Sequence, residues 1–270
     1  MPLATERHHH HESPHHLHSI RDRPARAARR RQDRTVGLGH RRSMSGQIHF
    51  VRHAETLFNV NRQLQGWCDS PLTERGERQA AALGERMRDV PLAAAFVSDL
   101  TRTRTTMAAA LAGHPHLDPT PLKELREWHF GSWEGQPNAD LWTPVFAEHG
   151  RQYAPGPADW PALTAHGFDG VIDSINRLDP IGRAETGADV NARVTAALEI
   201  VIAAAECATQ QDAGDVLVVT HGSVLGNLLR SIVPEYRLGA SIPNCGVVSV
   251  TLQGGEWAAA GVDLSCGQVH

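Results

Sequence analysis

The run Asp215-Val216-Leu217-Val218-Val219-Thr220 is the strongest strand signal in the chain, and it stops at His221-Gly222. Aliphatic, mostly β-branched side chains between polar ends suit a strand inside a sheet. A second β-rich run, Gln47-Ile48-His49-Phe50-Val51, also ends at a histidine, in Arg52-His53-Ala54-Glu55-Thr56. Between them, Ala94-Ala95-Phe96-Val97 reads as a short buried strand, with Ser98-Asp99 opening a helix over Thr101 to Leu111. Residues Thr73 to Val90 read as an amphipathic helix, with Ala80, Leu83 and Met87 on one side and Arg78, Glu85 and Arg88 on the other. Helical spacing returns at Val190, Val194, Leu198 and Val201, and again over Ser223 to Ile232. Val247 to Leu252 and Trp257 to Val262 suggest two closing strands. Strands alternating with helices predict an α/β fold with a largely parallel central sheet and helices on both faces. In such folds ligands bind at the C-terminal ends of the strands, where His53 and His221 both fall.

Length allows one substantial domain, assigned to residues 45–270. The segment 137–183 is rich in Pro, Gly, Trp and His without clean periodicity, and reads as an insertion carrying short helices over the active site, a lid. Residues 1–44 differ in kind, with ten Arg and eight His against four acidic residues and few large apolar side chains. Such a segment buries too little surface to offset its ordering entropy, which predicts a disordered basic extension. It is read as a non-functional extension, with Met44 as an alternative start of translation. The tail's formal +6, taken from the whole-chain −4, leaves about −10 on the domain. An acidic domain argues against a general nucleic-acid surface.

The chain has no run of 18 apolar residues and its charged N-terminus lacks the apolar stretch of a signal peptide, so no membrane partner is expected and cytoplasm is the default location. Cys68, Cys207, Cys245 and Cys266 are scattered without CxxC spacing, as suits reduced thiols rather than a zinc site or a disulfide framework.

An arginine beside a histidine means little alone. Two strand-ending histidines at one sheet edge mean more, because they and Arg52 converge on one pocket. The residues around them resemble the histidine phosphatase superfamily, in its cofactor-dependent phosphoglycerate mutase-like branch. The resemblance rests on four separated places: Val51 to Thr56 with Asn59 and Gln65-Gly66-Trp67; Ser98-Asp99-Leu100-Thr101-Arg102 with Thr106; Leu125 to Gly135; and Val219-Thr220-His221-Gly222. Together they cover nearly all of residues 47–252, in the family's order.

The resemblance implies a phosphoglycerate mutase-like fold and a phosphatase that acts on small phosphomonoesters, with neither metal nor cofactor. It makes His53 the nucleophile, Glu127 the proton donor, and Arg52, Arg102 and His221 the phosphate clamp. Asn59 then donates to a phosphate oxygen, backbone amides near Gln65 and Gly66 close one side, and Gly222 belongs to the same phosphate site. These roles have physical reasons. A neutral imidazole, with an ordinary pKa near 6.5, attacks phosphorus near pH 7 without a metal-activated water. Guanidinium forks hold the charged oxygens in pairs at any working pH. A protonated His221 adds a further donor. A carboxyl group at Glu127 protonates the departing alkoxide and then deprotonates the attacking water; Glu124 is its nearby competitor.

Two departures from the family pattern stand out: Ala54 where Gly is usual, and Ala184-Glu185-Thr186 where the long helix usually opens on Gly-Glu-Ser. The mutase and phosphatase readings differ in what accepts the phosphoryl group, a second hydroxyl or water. The Trp-His-Phe-Gly-Ser-Trp-Glu-Gly wording after Glu127 resembles broad phosphatases, whereas glycolytic mutases carry a Glu-Arg-His-Tyr-Gly form. The Arg-His-Gly-x-Arg-x-Pro signature of the acid phosphatase branch is absent. A non-catalytic phosphate-ester-binding protein is the remote alternative. Trp67, Trp128 and Trp133 are read as packing residues. The partner expected is a small phosphorylated metabolite, whose identity falls to residues 137–183, among them Trp142, Phe146, His149, Arg151, Trp160 and His166. A homodimer is admitted.

Overall fold

Strand β1 (Gln47–Arg52) lies beside β4 (Asp215–Thr220) in parallel, with Arg52 level with Thr220, so the two runs that end in histidine are neighbours in one sheet. The computed structural model describes residues 46–154, 160–164, 167–234, 242–253 and 255–269, apart from the side chains of 161 and 162. The chain divides into two units, Met1–Arg42 and Ser43–His270, and every described residue lies in the second. The expectations for residues 1–44 and for His166 fall outside the described residues.

The sheet has six strands in the order β3-β2-β4-β1-β5-β6, completed by β2 (Leu92–Ser98), β3 (Thr120–Leu122), β5 (Val247–Gln253) and β6 (Glu256–Asp263). The four strands from β3 to β1 are parallel, whereas β5 joins β1 antiparallel and β6 joins β5 antiparallel. The sheet is therefore mixed: the two closing strands form a hairpin at one edge, which the short connection between them dictates.

Side chains alternate across this sheet with period two. One face sends Val51, Ala95, Val97, Leu217 and Val219 against α2 (Glu74–Met87) and α3 (Thr101–Ala110). The other sends Ile48, Phe50, Phe96, Val216 and Val218 against α4 (Asn138–Glu148), α6 (Asp169–Leu178), α7 (Gly187–Gln210) and α8 (Gly222–Ile232). Val216, Leu217, Val218 and Val219 are fully buried, as a central strand covered on both faces requires. Removing one such side chain costs on the order of 2–5 kcal/mol for Leu→Ala.

Two short elements escape periodicity: α1 (Leu57–Asn61), and α5 (Trp160–Leu163) between α4 and α6. Helix α1 is held by a capping box in which Thr56 Oγ accepts from the Asn59 amide and Asn59 Oδ1 accepts from the Thr56 amide. Thr186 caps α7 with Asp189 in the same way, so the segment that departs from Gly-Glu-Ser still opens a helix. No described helix is long and apolar enough to cross a membrane.

Candidate active site

Because β1 and β4 end level, His53 and His221 leave the sheet side by side, and the His53 amide donates to Thr220 O at 2.9 Å. Their ring centroids are 5.3 Å apart and both rings are buried. His53 Nδ1 lies 2.8 Å from Ala54 O. A carbonyl only accepts, so Nδ1 carries the proton and the lone pair sits on Nε2. Burial, followed by the positive charges of Arg102 and Arg52, holds His53 well below its ordinary pKa, and the ring is neutral at pH 7. Neutrality and a fixed tautomer are what a nitrogen nucleophile needs.

Around this ring are buried donors that the protein itself does not satisfy. Among the described residues, Arg52 Nε, Arg102 Nε and His221 Nδ1 are buried without a protein partner. Other nitrogens of the same groups are engaged. Arg102 gives NH1 to Cys68 O and Asp69 Oδ1 (3.0 Å each) and NH2 to Gln65 O (3.2 Å) and Gly66 O (2.7 Å). Arg52 NH1 donates to Ile242 O at 2.8 Å, and His221 Nε2 lies 2.9 Å from Ser98 Oγ. Leaving a buried donor unpaired costs about 1–3 kcal/mol. Three such groups beside one imidazole describe a cradle for an oxyanion.

Glu127 lines a cavity of about 240 Å³ together with His53, Arg52, Asn59, Gly222 and Ser223, whereas Arg102 and His221 are buried outside this lining. Its carboxylate is fixed by backbone amides: Oε1 accepts from Trp128 (3.0 Å) and Val224 (3.2 Å), and Oε2 from Ser223 (2.9 Å). Two of those amides belong to the first turn of α8, the positive end of the helix dipole. Glu124 does not line the cavity; its carbonyl accepts from Arg193 NH1 at 3.0 Å.

Several expected details are corrected. His221 is not a cation in the free protein: burial first, then Arg102, His53, Arg193 and Arg52, hold it well below its ordinary value. With the Ser98 hydroxyl donating to Nε2, its Nδ1–H is the donor left. Arg102 offers no guanidinium fork, because both terminal nitrogens are spent on the 65–69 loop. The Gly66 amide donates to Glu134 Oε2 at 3.1 Å, whereas Gln65 lines the cavity while its carbonyl accepts from Arg102 and its side chain bonds Thr56 and Ser70. A Cβ on Gly66 would stand 2.2 Å from Trp128 O, so glycine is required by that close approach. Asn59 lines the cavity, but its Oδ1 also accepts from Asn244 Nδ2 at 3.0 Å and closes the α1 cap. Ala54 is tolerated because it is not at positive φ and its methyl group packs with Val51 and Ala80.

Other supporting residues lie outside the expected set. Glu134 accepts from the amides of Gly66, Trp67, Cys68 and Phe130, and so welds the two loops that flank the site. Glu185 and Arg193 pair at 2.7 Å, and Arg193 donates to the carbonyls of Arg126 (2.5 Å) and Glu127 (3.0 Å). Asn244 Nδ2 donates to His53 O at 3.0 Å. Glu134 and Glu185 stood within quoted motifs, but nothing in their spacing announced carboxylates facing amides.

Residues 48–264 match the family description Histidine phosphatase superfamily (branch 1). The chain is 31% identical over 218 residues to the protein named "Probable phosphoglycerate mutase GpmB" of Yersinia enterocolitica, covering 80% of this chain and 89% of that one. Its structure is similar to that of a phosphoglycerate mutase from Bacillus anthracis, with a TM-score of 0.70 at 29% identity over 84% of this chain and 97% of the other. An α-ribazole phosphatase from Shigella flexneri shares the fold with a TM-score of 0.56 at 24% identity, over 79% of this chain and 94% of the other.

Proposed function

The chain belongs to the histidine phosphatase superfamily, and from that premise we propose that it hydrolyses small phosphomonoesters through a phosphohistidine on His53, with Glu127 as proton donor. The observation that carries the reading is the set of three unpaired buried nitrogens, on Arg52, Arg102 and His221, beside an imidazole whose Nδ1 is already committed. Nε2 attacks phosphorus, the N–P bond forms and the ester P–O bond breaks. Glu127, entering this step as the carboxylic acid, gives its proton to the departing oxygen. The negative charge on the transferring group meets the three unpaired donors, each worth about 3 kcal/mol or more at a transition state. Water then attacks the phosphohistidine, Glu127 takes its proton, and inorganic phosphate leaves with the N–P electrons returned to Nε2.

A mutase reading is favoured by the name of the Yersinia relative. The phosphatase reading is supported by the Trp-His-Phe-Gly-Ser-Trp-Glu-Gly sequence that follows Glu127. The two are separated by a steady-state assay with 3-phosphoglycerate and a bisphosphoglycerate primer. Phosphate release at least as fast as isomerisation is the expected outcome; isomerisation running well ahead of release replaces the phosphatase with the mutase.

A further inference from the structure

The cavity lining combines two chemistries. Besides His53 and Glu127, the cavity is lined by Leu64, Trp128, Phe130, Trp142, Trp160 and Phe168, which form a largely aromatic wall. The rings are braced edge to face: Trp142 on Trp160 at 4.8 Å, Trp128 on Phe168 at 5.6 Å, Phe130 on Trp142 at 6.1 Å. Such contacts fix ring orientation, so the wall is pre-formed.

The neutral polar residues of the lining are Asn59, Gln63, Gln65, Asn138, Thr164 and Ser223. Gln63 Nε2 donates to Gly135 O at 2.9 Å, and Thr164 Oγ donates to Trp160 O at 2.9 Å. Among the described residues that line the cavity, Arg52 is the one cation, and its charge acts on His53. Arg230 lies outside the lining, its guanidinium stacked on Phe168 at 5.3 Å and its NH1 bound to Thr164 O.

We infer that the leaving group held by this site is uncharged and apolar, about one ring in size, and that esters of hydroxy acids are discriminated against. This rests on the phosphatase reading and names its substrate class. A carboxylate on the leaving group would lose its hydration against indole and phenyl surfaces with no described cation to replace it, which is unfavourable. A benzene-sized ligand fills roughly 150 Å³ of an apolar cavity, so a space of about 240 Å³ holds one ring and a phosphoryl group.

The test compares alcohols of similar acidity, so that chemistry does not mask recognition. The full chain is assayed for kcat/KM on 2-phenylethyl phosphate, glycerol phosphate and 3-phosphoglycerate. The phenylethyl ester is expected to lead 3-phosphoglycerate by at least about a hundredfold, with glycerol phosphate between. Trp160→Ala, at the half-buried end of the wall, should cost the phenylethyl ester about tenfold, mainly in KM, and narrow its lead over glycerol phosphate. Asn138→Lys, which puts a cation into the lining, should raise the value for 3-phosphoglycerate. Turnover dependent on His53 with 3-phosphoglycerate equal or ahead overturns the substrate class and leaves the phosphatase reading standing. Absence of turnover on all three esters overturns the phosphatase reading and the inference with it.

Discussion

At the scale of single residues, the site divides into groups that react and groups that hold them. In the proposed reaction His53 is the nucleophile, because a carbonyl accepts its Nδ1–H and burial keeps the ring neutral. Glu127 is positioned by three amides, so its replacement by glutamine keeps the size but removes the transferable proton. Glu127→Gln is expected to slow esters of alkyl alcohols by about 10²–10⁴-fold, the usual range for a general acid, while aryl phosphates with good leaving groups lose much less. Equal losses across a series of leaving groups would remove the proton-donor role. His53, Arg52, Arg102, His221 and Glu127 were all legible in the sequence as motif residues. The state of His221 and the single free nitrogen of Arg102 were not, because the first involves Ser98 and the second the 65–69 loop, each distant from its partner in the chain.

At the scale of elements, the parallel pairing of β1 with β4 is the decisive fact, since their shared level puts two chain-distant histidines together. Both strands were legible as apolar runs, and the long helices as periodic ones. The antiparallel course of β5 and β6 was not, because an apolar run carries no direction. Helix α1 and strand β3 are too short for any period to register. Helix α7 acts at a distance from its own cap: Arg193, backed by Glu185, grips the carbonyls of the turn that presents Glu127. The aromatic wall comes from segments without clean periodicity, and only three-dimensional packing shows that Trp142, Trp160 and Phe168 share one surface.

At the scale of the whole molecule, the site is bought with stability. Both imidazoles have folded-state pKa values well below that of the unfolded chain. Below about pH 6.5 the unfolded chain therefore binds more protons than the folded one. Their contribution is fully present above that pH and declines as pH falls from 6.5 towards the depressed values. Asp179 acts lower still: burial raises its pKa, but the Ser132 hydroxyl and the amides of Ala184, Arg183 and Ile181 outweigh this and hold it at about 2. In phosphate-free buffer the urea midpoint should be level from pH 8 to 7 and fall between pH 6.5 and 5, with a shallower fall in His221→Asn. A midpoint unchanged down to pH 5 would show that these rings are not buried neutral.

The most direct measurement is rapid chemical quench of the wild-type chain with a phosphate-labelled ester, followed by peptide mapping of the label. An acid-labile phosphoryl group on His53, formed and consumed at the rate of turnover and absent from His53→Ala, is the predicted result. Label on another residue, or undiminished turnover in His53→Ala, would contradict it.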